Sequence, residues 1–375
     1  MVSPPPRLAR LAEVHDLPIG TACTAHAAIR QLRHGLDRNG EGYYDLVVGD
    51  ASARIPAKIW GDSRAYGELA RSGLETGAVV KLMFSVGEYR DAIQLTVSRI
   101  RGVVEGDEWS SEAIWGRGWE LIQDLRCKTL VFDIETVPGV VLDAEDTPES
   151  VRKAVARAAE RSAGELDALE AQTKAMSLSP YFGKIVSLAV GEGELDEDED
   201  EDDDGDEGEG REGAVTALVV PPPGREDEEY PPWIRPMSEA DLLRCFWHLA
   251  DAAELVVSYN GRGFDVPFLQ ARSLIHGVPA RVDLLSSPYS LRPHLDLFRL
   301  LSPGRGGTAS TSLDVICWSL GITSPKGEMD GSLVAPTYAR GEIETIAEYN
   351  VGDVRATARV YRHLREHLLP FRNDW

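Results

Sequence analysis

From Leu17 to about Val104 apolar and polar positions alternate, most clearly in Tyr44-Leu46-Val48, Val80-Leu82-Phe84-Val86 and Ile93-Leu95-Val97. This period of two marks strands with one buried face. Turn residues separate the runs at Arg38-Asn39-Gly40, Val48-Gly49-Asp50 and Gly87-Glu88, and a short helical stretch, Ser63 to Arg71, comes between the third and fourth. After residue 127 the pattern changes. Lys128-Thr129-Leu130-Val131-Phe132-Asp133 is an apolar run ending in an acid, which predicts a central strand buried on both faces. Residues 148–176 form an alanine- and charge-rich helical insertion, and strands follow over Lys184 to Val190 and Ala214 to Val220. A helix over 238–251 starts at the cap Ser238, and a strand spans Glu254 to Tyr259. A helix from Phe264 to His276, a short segment from Pro293 to Leu297, a helix from Ser312 to Leu320 and a final helix from Glu342 to Leu368 complete the order.

Five short strands with one helix between the third and fourth, in about ninety residues, is the layout of an OB-fold barrel. The segments Tyr44-Asp45-Leu46-Val47-Val48-Gly49-Asp50 and Ile55-Pro56-Ala57-Lys58-Ile59-Trp60 resemble nucleic-acid-binding OB domains. Tyr44, Trp60, Phe84 and Tyr89 are candidates for stacking on bases, with barrel core or incidental surface as the alternative for each. Three strands followed by alternating helices and strands predict a ribonuclease H-like α/β domain. The expected organisation is a loose tail over 1–15, an OB-fold-like domain over 16–104, a linker or helical bridge over 105–126 carrying Trp109, Trp115 and Trp119, and the α/β domain over 127–375.

Composition adds boundaries. Hydrophobic residues at 43% and charged residues at 27% of 375 fit two globular units and exclude wholesale disorder or a collagen-like chain. No run approaches the roughly 18 apolar residues of a membrane span, and the polar, proline-broken start predicts a cytoplasmic protein with no membrane partner. Cys23, Cys127, Cys245 and Cys317 lie too far apart for a zinc knuckle or a disulfide framework. The net charge of −23 is local: fifteen acidic residues and one arginine fall between Glu192 and Glu212, which leaves −9 for the rest. Placed between two expected strands, 192–213 is expected to be a disordered acidic hairpin loop.

Other carboxylates are spaced for chemistry. Asp133 and Glu135 lie two apart on a strand, so both point to one face, where close like charges favour a hard divalent cation. Asp265 opens a helix after a strand, within Tyr259-Asn260-Gly261-Arg262-Gly263-Phe264-Asp265. Tyr349 and Asp353 lie one helical turn apart. Each element has a bland reading alone: chance in an acidic chain, a favourable acid at a helix start, an exposed acid beside a core tyrosine. Asp296 and Asp314 read as structural caps, and His276 and His294 as helix-end or packing residues.

Taken in order, the three carboxylate elements resemble the three exonuclease motifs of the DEDD superfamily. From Lys128 to Leu364 the chain is similar to the predicted 3′–5′ exonucleases related to the proofreading domain of B-family DNA polymerases. Leu178-Ser179-Pro180-Tyr181-Phe182-Gly183-Lys184, His294-Leu295-Asp296-Leu297 and Asp330-Gly331-Ser332 also support this resemblance. Tyr349 four residues before Asp353 assigns it to the tyrosine subclass. The resemblance implies that Asp133, Glu135, Asp265 and Asp353 hold two divalent ions, Mg²⁺ or Mn²⁺, and that Tyr349 orients the attacking water. It implies hydrolysis of single-stranded nucleic acid from the 3′ end, DNA favoured, with Thr136, Asn260 and Phe264 meeting the terminal nucleotide. Two alternatives stay open: a structure-specific endonuclease on the same fold, and a non-catalytic nucleic-acid-binding protein. Protein partners are not specified by the sequence.

Overall fold

Five strands, β1 (Ala22–Leu36), β2 (Gly42–Gly49), β3 (Arg54–Trp60), β4 (Val79–Tyr89) and β5 (Ala92–Gly102), close into a barrel in the order β1-β2-β3-β5-β4. The computed structural model describes residues 5–145, 147–162, 164, 166–193, 215–286, 290–302, 312–323, 329–373 and 375. Closure comes from β4 returning antiparallel to β1 and from a parallel contact of β3 with β5 at Ala57↔Leu95 and Lys58↔Thr96. Helix α1 (Arg64–Ser72) connects β3 to β4; Ser63 caps it by accepting from the Tyr66 N–H. This is the OB-fold, and its core follows the strand alternation, with Val80, Leu82, Phe84 and Val86 each no more than 1% exposed.

The chain divides into two units, Met1–Leu121 and Ile122–Trp375. Within the first, the described part of the expected loose tail, residues 5–15, is packed: Leu11 and Val14 are buried in the barrel core, and the Leu11 N–H donates to Asp50 Oδ2 at 2.6 Å. Alternation gave no signal there because Leu11–Asp16 is a short 3-10 helix, with a period of about three. The expected bridge also joins this unit as far as Leu121. It forms α2 (Ser111–Trp115), and Trp115 stacks on Trp119 with ring centroids 4.5 Å apart.

In the second unit the sheet order is β11-β10-β6-β7-β8-β9. Strands β6 (Thr129–Pro138), β7 (Gly183–Glu192) and β8 (Thr216–Val219) form an antiparallel meander, with α3 (Glu149–Ser162) and α4 (Ala168–Ser177) inserted between β6 and β7. β9 (Ile234–Pro236) adds to β8, and α5 (Glu239–Ala252) starts at Ser238, whose hydroxyl accepts from the Asp241 N–H. β10 (Leu255–Ser258) runs parallel to β6; α6 (Asp265–His276) follows, and β11 (His294–Asp296) runs parallel to β10. The chain ends with α7 (Leu297–Leu301), α8 (Leu313–Leu320), α9 (Val334–Arg340) and α10 (Ile343–His367). First strand in the middle, meander on one side and parallel strands on the other: this is the ribonuclease H-like arrangement. β9, α7 and α9 were not legible, being three, five and seven residues long. Of the expected acidic loop 192–213, Glu192 ends β7 and the residues from 194 on lie outside the described residues; the flanking β7 and β8 pair antiparallel from Val190↔Thr216 to Ser187↔Val219.

Candidate active site

The site begins where a ladder stops. β6 and β10 pair only as far as Val131↔Val257, so the later N–H groups of β6 have no strand partner on that side. The N–H of Ile134 donates instead to Asp265 Oδ1 at 3.2 Å. Asp133 and Glu135 flank buried Ile134, and both open onto the same face because side chains alternate along a strand. They lie inside β6, which continues past them to Pro138, and mark the carboxyl end only relative to the shorter β10.

A sharp turn delivers Asp265. Leaving β10, the chain passes through Asn260 at φ 63, a left-handed conformation that asparagine tolerates better than most residues. Asp296 locks this turn by accepting from the N–H groups of Asn260 and Arg262, each at 3.0 Å. Gly261 fits against Ser258, where a Cβ would stand 2.2 Å from Oγ. Asp265 then opens α6 with 3% of its surface exposed.

α10 closes the cluster from a third direction, lying against β6 and β7. One carboxylate oxygen from each of Asp133, Glu135 and Asp353 lies within 4.8 Å of the others. Asn350, fully buried one residue after Tyr349, donates from Nδ2 to Asp133 Oδ2 at 2.7 Å and accepts from Ser187 Oγ at 2.8 Å.

The donors that reach Asp133 and Asp265, Asn350 Nδ2 and the Ile134 N–H, are neutral. Burial, followed by the charges of Asp265, Asp353 and Glu135, pushes the Asp133 carboxyl well above its ordinary range. Burial and then Asp353 and Asp265 do the same to Glu135. Asp265 is pushed up to about 7, first by burial, against the backbone N–H groups that hold it down. Tyr349 is raised too, by burial and then by the charges of Asp353, Glu135 and Asp133, and it is hydrogen-bonded to Asp353. Several carboxylates gathered at low dielectric with neutral donors fit a bound divalent cation, whose charge would allow them to ionise together.

The cluster lines a cleft of about 740 Å³ that gathers all the residues expected there: Asp133, Glu135, Thr136, Asn260, Phe264, Asp265, Tyr349 and Asp353. Thr136 has its hydroxyl committed to the Ser177 carbonyl at 2.8 Å, so it offers its methyl and backbone rather than a free hydroxyl. Phe264 packs on Phe268 at 5.6 Å and forms one wall. Sequence reasoning missed Lys174, a basic side chain lining the cleft, and Leu169, 71% exposed on the same helix. It also assigned no role to Asn350. The available signal was an asparagine in the apolar stripe of α10, between Ala347 and Val351.

The residues read as structural are so placed. Asp296 binds the turn; His294 is fully buried between Ser258 Oγ at 2.7 Å and the Leu284 carbonyl at 3.2 Å, with its pKa pushed down to about 3, chiefly by burial. His276 pairs with Glu239 at 2.9 Å. Asp314 stands in the first turn of α8.

In the barrel the four stacking candidates separate. Phe84 is 1% exposed and belongs to the core, a correction that follows from its inward register on β4. Tyr44 packs against Tyr66, with centroids 5.1 Å apart, beside that core. Trp60 and Tyr89, 42% and 57% exposed, line a groove of about 560 Å³ with Tyr43, Arg33 and Lys58. Lys58 Nζ sits 3.9 Å from the Tyr43 ring centroid and 4.6 Å from that of Trp60.

The second unit thus joins a ribonuclease H-like sheet to an acidic cluster at the end of its β6–β10 ladder. Residues 234–369 match the profile of a family described as "Predicted 3'-5' exonuclease related to the exonuclease domain of PolB", in agreement with the resemblance for the elements of Asp265 and of Tyr349 and Asp353, while Asp133 and Glu135 lie outside the matched range. The chain is 30% identical over 151 residues to the catalytic polypeptide of DNA polymerase epsilon from Saccharomyces cerevisiae. That stretch covers 36% of this chain and only 6% of the yeast polymerase. The family B DNA polymerase of the archaeon Pyrobaculum calidifontis aligns over 91% of this chain and 46% of its own, with a TM-score of 0.39 and 16% identity. The second OB-fold domain of replication protein A from Methanococcus maripaludis aligns over 27% of this chain and 99% of its own, with a TM-score of 0.21 and 15% identity. Among the described residues no helix is long and apolar enough to cross a membrane.

Proposed function

We propose that the protein is a metal-dependent 3′–5′ exonuclease that releases nucleoside monophosphates from single-stranded nucleic acid, DNA in preference to RNA, in the cytoplasm. The observation that carries this reading is the gathering of Asp133, Glu135, Asp265, Asp353 and Tyr349 in one cleft from three separate stretches of chain.

Asp133, Glu135, Asp265 and Asp353 would hold divalent cations, two in number, with Mg²⁺ or Mn²⁺ suiting a donor set made only of carboxylate oxygens. Bound there, the cations supply Lewis acidity to the attacking water and counter-charge to the leaving 3′ oxygen. Tyr349 keeps its proton at neutral pH and commits it to Asp353, so the phenol oxygen would orient the attacking water by accepting a hydrogen bond from it and would not act as a base. Asp353 accepts its hydrogen bond and holds the ring in place. Phe264 and Leu169 give a terminal base apolar walls, and Lys174 brings a positive charge to the strand's phosphates. Asn260, which lines the same cleft, would meet the terminal nucleotide. The barrel groove, with Trp60, Tyr89 and Tyr43 beside Lys58 and Arg33, suits a further stretch of single strand by stacking and phosphate contact.

The test is product analysis on end-labelled single-stranded DNA and RNA with Mn²⁺. Mononucleotides appearing from the 3′ end are the expected result. Internal cuts would point to an endonuclease, and binding without cleavage to a nucleic-acid-binding protein.

A further inference from the structure

We infer that Asn350, held by Ser187, is a positioning residue that fixes the orientation of the Asp133 carboxylate for cation binding. The inference rests on the exonuclease reading for the purpose of the cluster, but the contacts themselves do not.

Asn350 reaches across two strands from α10. Its Nδ2 donates to Asp133 Oδ2 on β6 at 2.7 Å, and its Oδ1 accepts from Ser187 Oγ on β7 at 2.8 Å. Both Asn350 and Ser187 are fully buried. Ser187 is the register partner of Glu135, and Asp133 pairs with Ala189 two residues along β7, so the three polar groups share one face of two adjacent strands. An asparagine amide can present either end to a neighbour. Turned over, it would set a carbonyl oxygen against a carboxylate oxygen and repel it. The Ser187 hydroxyl, by donating to Oδ1, selects the orientation in which the NH₂ group faces Asp133. With Oδ2 engaged, Asp133 is left Oδ1 as its cation-facing oxygen, in a fixed rotamer. The polar residue is thus accounted for in the middle of an apolar helix face: a buried amide is costly unless both its ends are bonded, and here both are. Partners of ligating carboxylates commonly change metal affinity about 10–100-fold when removed.

The test measures Mn²⁺ binding to the full chain by titration calorimetry at fixed pH, beside thermal melting, for wild type, Asn350→Ala, Ser187→Ala and the double variant. Asn350→Ala should weaken Mn²⁺ binding about tenfold or more. Ser187→Ala should weaken it less, by about threefold, since the amide is freed to turn over but not removed. In the Asn350→Ala background, Ser187→Ala should change Mn²⁺ affinity no further; that non-additivity is the signature of a residue acting through another. If the two effects multiply, or if Asn350→Ala lowers the melting temperature while leaving Mn²⁺ affinity at the wild-type value, the inference is overturned and Asn350 is structural. Should Asn350→Ala not fold, Ser187→Ala alone decides: unchanged affinity sinks the proposal. A wild-type chain that binds no Mn²⁺ would instead count against the exonuclease reading.

Discussion

The backbone N–H of Ile134 donates to Asp265 Oδ1 at 3.2 Å, which joins the first acidic element to the second across 131 positions of chain. The bond occupies the place a neighbouring strand would have taken had β10 continued beside β6. Asp265 is therefore held by the same strand that carries Asp133 and Glu135, and strand length and site geometry are set together.

Asp353→Ala should leave the fold intact and abolish hydrolysis. Alanine improves the propensity of α10 at that position and removes a carboxylate from the cluster. Circular dichroism and melting should match wild type while 3′-end release falls to background. Wild-type turnover in Mg²⁺ would falsify the assignment.

Tyr349→Phe should be milder. The carboxylates remain, so Mn²⁺ affinity should hold, while single-turnover cleavage slows about 10–100-fold as the hydroxyl that orients the reacting water is removed. Equal single-turnover rates would reduce Tyr349 to a packing residue.

The raised carboxyls predict a pH-dependent stability without divalent ions. A group whose folded pKa lies above its unfolded value stabilises the fold fully below the unfolded pKa and ceases to do so as pH rises through the folded one. For Asp265 the window runs from 3.8 to about 7. In chelator, melting temperature should fall between pH 5 and pH 8, and Ca²⁺ should restore it at pH 8. Asp265→Asn should flatten the fall and melt higher than wild type in chelator at pH 8. A wild-type melting temperature that does not change with pH in chelator would contradict the strained-cluster picture.

Lys174→Glu should weaken binding of single-stranded oligonucleotides without changing Mn²⁺ affinity. Taking away one phosphate-binding charge lowers the slope of log K against log salt by about 0.7 for a single strand. If affinity and slope are both unchanged, α4 does not line the strand's path.

The barrel aromatics should behave in two ways. Trp60→Ala with Tyr89→Ala should weaken binding of long single strands by about 1–3 kcal/mol for each base that no longer stacks and leave melting unchanged. Phe84→Ala should instead cost about 3–5 kcal/mol of stability through a core cavity. Affinity for long strands unaltered in the Trp60/Tyr89 variant would assign the groove to something other than nucleic acid.

Much of this was legible because two periodicities and a few spacings carry it. The alternation of Val80 to Val86 showed a barrel strand, and the acids two apart on β6 and the Tyr349–Asp353 pair one turn apart pointed to a site on spacing alone. Phe84 was misplaced as a stacking candidate although the same alternation, Val80-Leu82-Phe84-Val86, sets it on the inward face. Leu11 and Val14 were lost because a six-residue 3-10 helix is too short for a spacing of three to stand out. Asn350 was passed over because its partners, Asp133 and Ser187, are distant in sequence, and only the packing of α10 across two strands brings them together.

The second unit's sheet places its most apolar segments, Leu130-Val131-Phe132 and Ile185 to Val190, in its interior, and ends on strands of three residues, β9 and β11. β9 closes with Pro236, and Pro293 immediately precedes β11; neither proline can donate to an added strand. Long unpaired edges are where folded chains recruit one another into aggregates. Here sequences that would be hazardous at an edge lie in the middle of the sheet, and its borders are too short and too proline-marked to template another chain. The barrel, closed on itself, has no border at all. Among the described residues, then, neither sheet offers a long open edge to which a second chain could add a strand.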